Sequence, residues 1–77
     1  MSVTVYTRDN CQACKATKIL LNRYRVEYTE VNVENNLDLA QQLVDEGYRA
    51  MPIVKTELEE WSGHRPHRIE KYARIGA

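Results

Sequence analysis

The sequence predicts an α/β fold of element order βαβαββα, a mixed four-stranded sheet flanked by three helices. Three observations carry that prediction. A short apolar run, Val3-Thr4-Val5-Tyr6, leads into Cys11-Gln12-Ala13-Cys14, which opens an amphipathic stretch. A second strand-like and helix-like pair follows it. Pro52-Ile53-Val54-Lys55 and Glu59-Glu60-Trp61 then read as two strands ahead of a closing helix. One βαβ crossover followed by a hairpin and a helix gives a mixed sheet covered on both faces.

Taken in order, Val3 to Tyr6 has apolar or aromatic residues at all but one position, as suits a central strand. Between Gln12 and Tyr24, Ala13, Ala16, Thr17, Leu20, Leu21 and Tyr24 recur at helical spacing, with Lys15, Lys18, Asn22 and Arg23 on or near the opposite side. Glu27 to Val33 interleaves β-branched and aromatic residues with polar ones and predicts a more exposed strand. Asn35-Asn36 can cap a second helix, whose predicted apolar stripe is Leu37, Ala40, Val44 and Tyr48, with Gly47 near its end. Proline is tolerated at the first residue of a strand, which fits Pro52. The hairpin after it is the weakest element, because Thr56-Glu57-Leu58 has no Asn-Gly or other glycine-containing turn. Gly63 ends the last strand, Pro66 suits the first turn of a third helix, and Ile69, Tyr72 and Ala73 form its apolar face.

At 77 residues the chain is expected to form one domain over 1–77, without room for a second lobe. Eleven basic and eleven acidic residues balance to zero formal charge, which argues against nucleic-acid binding. The charge is unevenly placed: Val26 to Tyr48 has no Lys or Arg, while basic residues gather in Lys15–Arg25 and Arg65–Arg74. Solvated helix faces account for this pattern, and orientation of a charged partner is the alternative. Met1-Ser2-Val3 runs straight into the first strand, leaving no room for a targeting segment. No apolar run approaches the ~20 residues needed to span a bilayer. A cytoplasmic protein, with neither nucleic acid nor membrane as partner, is therefore expected.

The two cysteines, Cys11 and Cys14, carry the chemistry. A helix N-terminus offers partial positive charge and unsatisfied N–H groups, which favour a thiolate over a thiol. Cys11 faces that end and is the expected nucleophile. Cys14, one turn further, is placed to attack a mixed disulfide and release the product. Arg8 and Lys15 can add to the stabilisation of the Cys11 thiolate, although both can equally face water. Two alternatives stand beside this reading. His64 and His67 complete a C-x-x-C…H-x-x-H set for zinc, with a gap far longer than a zinc finger's. An inert buried pair is the other. Met51-Pro52 is a strand-initial proline on base rates and predicts trans; a cis bond would instead turn the Met51 backbone towards Cys11 for pairing with an extended segment. Trp61 is weighed as a core residue against a docking residue, and Ser62-Gly63 as a capping or anion-binding turn.

These residues resemble a family. Val5-Tyr6-Thr7, Cys11-Gln12-Ala13-Cys14, Pro52 and above all Trp61-Ser62-Gly63-His64-Arg65-Pro66 are similar to those of glutaredoxin-like proteins of the NrdH-redoxin type. The resemblance covers essentially the whole chain and implies a thioredoxin fold. It implies that Cys11 attacks and Cys14 resolves, and that Met51-Pro52 is cis. It also implies that Arg8, Gln12, Ala13, Met51, Pro52 and the segment Trp61, Ser62, Gly63, His64 and Arg65 form the partner surface beside the thiols. The implied partners are thioredoxin reductase, which uses NADPH, and class Ib ribonucleotide reductase. The protein itself is expected to bind no metal or other cofactor beyond its redox-active disulfide, and to act as a monomer.

Ordinary glutaredoxins carry Thr-Val-Pro and Gly-Gly-x-Asp where this chain has Ala50-Met51-Pro52 and Ser62-Gly63-His64-Arg65. Loss of that Asp, an acceptor for the ammonium of glutathione, should weaken glutathione capture. A glutathione-dependent glutaredoxin is nevertheless the nearest alternative, since Arg8 keeps a basic residue used for that ligand. Alternatives of another class are a zinc or iron–sulfur binding module and an interaction domain gated by its redox state. The chain departs from the family at His64, where an aromatic is common, and at His67, where an acid is common.

Overall fold

The computed structural model describes residues 2–76, with side chains described from Ser2 to Tyr72. The elements are β1 (Val3–Thr7), α1 (Gln12–Arg23), β2 (Thr29–Asn32), a 3-10 turn (Val33–Asn35), α2 (Leu37–Asp45), β3 (Ile53–Thr56), β4 (Glu60–Ser62) and α3 (Pro66–Gly76). The sheet order is β2-β1-β3-β4. β1 runs parallel to β2 with Thr7 opposite Asn32, and antiparallel to β3 with Tyr6 opposite Ile53. β3 and β4 form the antiparallel hairpin. The expected mixed sheet with three helices is therefore present, in the thioredoxin arrangement.

Alternation along β1 divides the core. Val3 and Val5 point to one face, where they pack with Val54, Trp61, Leu21 of α1, and Ile69 and Tyr72 of α3. Ile53, Val33 and Leu43 of α2 form the opposite core, with Tyr6, Leu39, Ala40, Tyr48 and Met51 around it. Ile69 and Tyr72 thus face inward as expected; Ala73, assigned to the same face, lies outside the residues whose side chains are described.

Two local expectations change. The second strand is shorter than Glu27–Val33, because Asn32 caps a 3-10 turn by accepting the Glu34 N–H at 2.8 Å. The stripe on α2 is also rotated. Leu43 is its buried residue, flanked by Leu39 and Ala40, whereas Leu37 and Val44 are 77% and 61% exposed. A short helix lying across one half of a twisted sheet buries a narrower arc than its apolar content predicts. Asn36 caps this helix from the Leu39 N–H at 3.1 Å.

The hairpin closes without glycine. The Thr56 hydroxyl accepts the N–H groups of Leu58 and Glu59 at 3.1 and 3.0 Å, and the Thr56 N–H donates to the Glu59 carbonyl at 2.8 Å. The side chain supplies the hydrogen bonding that a left-handed turn residue would otherwise make unnecessary. Tyr72 ties this turn to α3, its hydroxyl lying 3.0 Å from both Thr56 Oγ1 and Glu59 Oε2. Among the described residues no helix is long and apolar enough to cross a membrane.

Candidate functional site: a dithiol at a helix N-terminus

β1 ends at Thr7, and three residues carry the chain to Cys11. Asn10 turns the backbone with φ 55°, a left-handed conformation that asparagine tolerates better than most side chains. Cys11 is the N-cap of α1, and its Sγ accepts the Cys14 N–H at 3.1 Å. A sulfur thus occupies the acceptor position usually held by Ser, Thr or Asp. Cys11 and Cys14 are joined by a disulfide, with Cα atoms 5.2 Å apart. Cys11 retains 8% exposure and Cys14 2%, so an incoming group meets Cys11 first. Gln12 is exposed and Ala13 half-buried between them. The first turn of α1 contains no acidic residue, which leaves the positive end of the helix unneutralised from within.

Polar side chains pin this turn to β2. The Thr7 hydroxyl, 1% exposed at the residue level, donates to Glu30 Oε2 at 2.7 Å, and Lys18 Nζ of α1 reaches the same oxygen at 3.0 Å. The Thr7 bond first, then the Lys18 bond, hold the Glu30 carboxyl below its ordinary value. Asn32 Nδ2 donates to Asp9 Oδ1 at 2.9 Å. Sequence reasoning missed these tethers, and the one signal for them is the run of hydrogen-bonding residues where β1 and β2 end in register, Thr7 opposite Asn32.

On the other side of β1, the Met51–Pro52 peptide is cis, as the resemblance implies and base rates do not. Pro52 is buried, and its carbonyl accepts the Gly63 N–H at 2.8 Å. Met51 is half-buried, and its backbone N–H and C=O make no hydrogen bond among the described residues. Pairing of Tyr6 with Ile53 brings this segment alongside the end of β1. Arg8 and Met51 then line one groove of about 270 Å³, together with Leu37, Val44, Tyr48 and Arg49.

The segment after β4 reaches the same place. Gly63 adopts φ 82°, which favours glycine, and bonds to Pro52. His64 is exposed overall, yet its Nδ1 lies 2.8 Å from the hydroxyl of Thr17, a fully buried residue of α1. Arg65 Nε donates back to the Ser62 carbonyl at 3.2 Å and leaves its exposed side chain at the rim. Ser62 is half-buried. Trp61 departs from the partner surface expected of it. It is 5% exposed, packs in the core with Tyr72 at 6.2 Å between ring centroids, and carries Arg68 5.7 Å from its ring. Its place opposite Val54 in the hairpin points the ring into the core shared with α1 and α3. Burial of so large an apolar surface outweighs any gain from display.

Arg8, Cys11, Met51, Pro52 and Gly63 to Arg65 thus surround one end of the sheet. His67 is elsewhere: its side chain is 99% exposed and lies 3.5 Å from Glu70. Among the described residues no three His, Cys, Asp or Glu side chains converge as metal ligands, so the two-cysteine, two-histidine zinc set is not assembled.

The comparisons with known proteins agree with this geometry. A glutaredoxin family model matches residues 3–63. The glutaredoxin-like protein NrdH of Salmonella typhimurium is 41% identical over 71 residues, covering 92% of this chain and 88% of that protein. NrdH of Lactococcus lactis is 31% identical over 71 residues, covering 92% and 99%. The solved structure of NrdH-redoxin from Escherichia coli, a protein described as having a thioredoxin-like activity profile, superposes with a TM-score of 0.88 at 34% identity, covering 92% of this chain and 93% of that one. With a matching fold and a C-x-x-C disulfide capping α1, the chain belongs to the glutaredoxin family, among its NrdH redoxins, and is a thiol–disulfide oxidoreductase that carries electrons on Cys11 and Cys14.

Proposed function

We propose that the protein takes electrons from thioredoxin reductase and delivers them to a disulfide of a client protein, the class Ib ribonucleotide reductase in the first instance. The observation that carries the chemical part is the Cys11 sulfur accepting the Cys14 N–H at the start of α1. In the reduced protein that N–H and the helix end favour a Cys11 thiolate. The thiolate attacks one sulfur of the client disulfide; the new S–S bond forms as the client's bond breaks, and the departing client thiolate takes up a proton. Cys14, deprotonated as it attacks, displaces the client from Cys11 and leaves the Cys11–Cys14 disulfide. Two electrons have then passed to the client. A flavoprotein reductase returns two electrons, drawn from NADPH, and two protons.

The free backbone groups of Met51 support pairing with an extended client strand beside Cys11. Arg8, Gln12, Ala13 and the Ser62–Arg65 loop supply the remaining contacts, while Trp61 anchors the preceding strand in the core. Arg8 and Arg49 on the Met51 groove favour a second reading, electron supply by glutathione, whose carboxylates such cations would attract. Against it, Arg65 stands where glutaredoxins place an acid for the glutathione ammonium.

A coupled assay following NADPH oxidation separates the two. The oxidised protein is offered thioredoxin reductase in one arm, and glutathione with glutathione reductase in the other. Turnover with thioredoxin reductase and little with glutathione is expected. Turnover with glutathione alone would make the glutathione reading correct.

A further inference from the structure

Arg8 and Asp9, adjacent in sequence, follow the end of β1 and make different contacts. Arg8 lines the groove with Met51 and Arg49. Asp9 is held by Asn32 of β2, and the sheet order puts β2 and β3 on opposite sides of β1. Asn32 has little freedom in this contact. Its amide oxygen accepts the Glu34 N–H at 2.8 Å, which directs its NH₂ group at the Asp9 carboxylate, 2.9 Å away. The titratable and charged groups on the elements around the Cys11 turn include Arg8, Asp9, Lys15, Lys18, Glu30, Glu34, Arg49, His64 and Arg65. The anions among them are Asp9, Glu30 and Glu34; Thr7 and Lys18 hold Glu30, and one side chain, Asn32, bonds to both Asp9 and Glu34. Asp9 is two residues from Cys11, and the first turn of α1 has no acid of its own. A carboxylate swinging towards that helix end would disfavour a thiolate by like-charge repulsion.

We propose that Asn32 is a positioning residue that keeps the Asp9 carboxylate on the β2 side of the turn, and so keeps Cys11 acidic enough to react at neutral pH. The inference rests on Cys11 being the attacking thiolate. Its test needs neither reductase nor client. In reduced protein carrying Cys14→Ser, the thiolate absorbance of Cys11 is followed against pH, alone and with Asp9→Asn, Asn32→Ala, or both. Asp9→Asn removes the charge but keeps an acceptor for Asn32, and it should change the titration little. Asn32→Ala should weaken the Cys11 acid constant about threefold, the scale of one solvated charge moving within several ångströms. Adding Asp9→Asn should cancel that shift, and the rate with a small aromatic disulfide below the titration midpoint should fall and recover in parallel. Asn32→Ser, which keeps an acceptor for the Glu34 N–H, should behave as Asn32→Ala does, and covers the case in which the alanine variant fails to fold. No shift, or a shift of the same size whether or not Asp9→Asn accompanies it, would overturn the role of Asn32. A Cys11 that titrates as an ordinary thiol, near 8.5, in every variant would instead overturn the thiolate reading beneath it.

Discussion

The hydroxyl of Thr17 lies 2.8 Å from Nδ1 of His64, joining the middle of α1 to the loop that follows β4. With the bond from Gly63 to Pro52, it makes the C-x-x-C helix, the cis peptide and the Ser62–Arg65 loop one assembly. The partner of His64 is a residue with no exposed surface, so this hydrogen bond is shielded on one side from competition by water. A double-mutant cycle with Thr17→Val and His64→Phe should give a coupling of about 1 kcal/mol in urea unfolding. Additive losses would mean that the two residues contribute independently.

Thr56 carries the turn that lacks glycine, and its hydroxyl also meets Tyr72. Thr56→Ala should lower unfolding stability by about 1–2 kcal/mol, measured by urea denaturation. Thr56→Ser, which keeps the hydroxyl, should recover most of it.

The Thr7 hydroxyl first, and Lys18 second, hold the pKa of Glu30 below the ordinary 4.5. A carboxyl with a lowered folded-state value stabilises the fold above its unfolded value and loses that contribution as pH falls through the folded one. Stability should therefore drop below about pH 4.5, and Glu30→Gln should flatten that part of the curve. An unchanged acid limb in the variant would show that Glu30 is not linked to folding.

Tyr48 presents the opposite sign. Burial first, then the nearby Glu60 carboxylate, push its phenol up to about 12 from 10.0, and its hydroxyl is buried without a hydrogen-bond partner among the described residues. The neutral phenol is favoured in the folded state, so its contribution is complete below about pH 10 and lost as pH rises towards 12. Tyr48→Phe should remove a late step from the phenolate absorbance titration. At neutral pH it should leave stability unchanged or higher by up to about 1 kcal/mol, because an unsatisfied group is removed.

What is legible in the sequence is what depends on local chemistry and period. The N-cap cysteine, the helix start at Pro66, the Asn36 cap and the glycines at 47 and 63 each act within a few residues. The α2 stripe is not legible in this way, because Leu37 and Val44 satisfy a helical period equally well. Only the extent of the sheet beneath the helix decides that Leu43 is covered and they are not. Trp61 could serve core or surface until the hairpin register set it opposite Val54. The tethers Thr7–Glu30, Asn32–Asp9 and Thr17–His64 join residues 23 to 47 positions apart. Polar pairs at that distance leave no periodic trace, and only the packing of strands, helix and loop brings them together.

The division of labour between the two thiols is tested most directly by reduced Cys14→Ser protein mixed with a disulfide-bonded client peptide, followed by non-reducing gel and intact mass. A mixed disulfide through Cys11 should accumulate in one-to-one ratio and persist, while the native protein releases reduced peptide and ends with Cys11 joined to Cys14. Release of reduced peptide by the variant at the native rate, or a mixed disulfide that needs Cys14 instead, would contradict attack by Cys11 and resolution by Cys14.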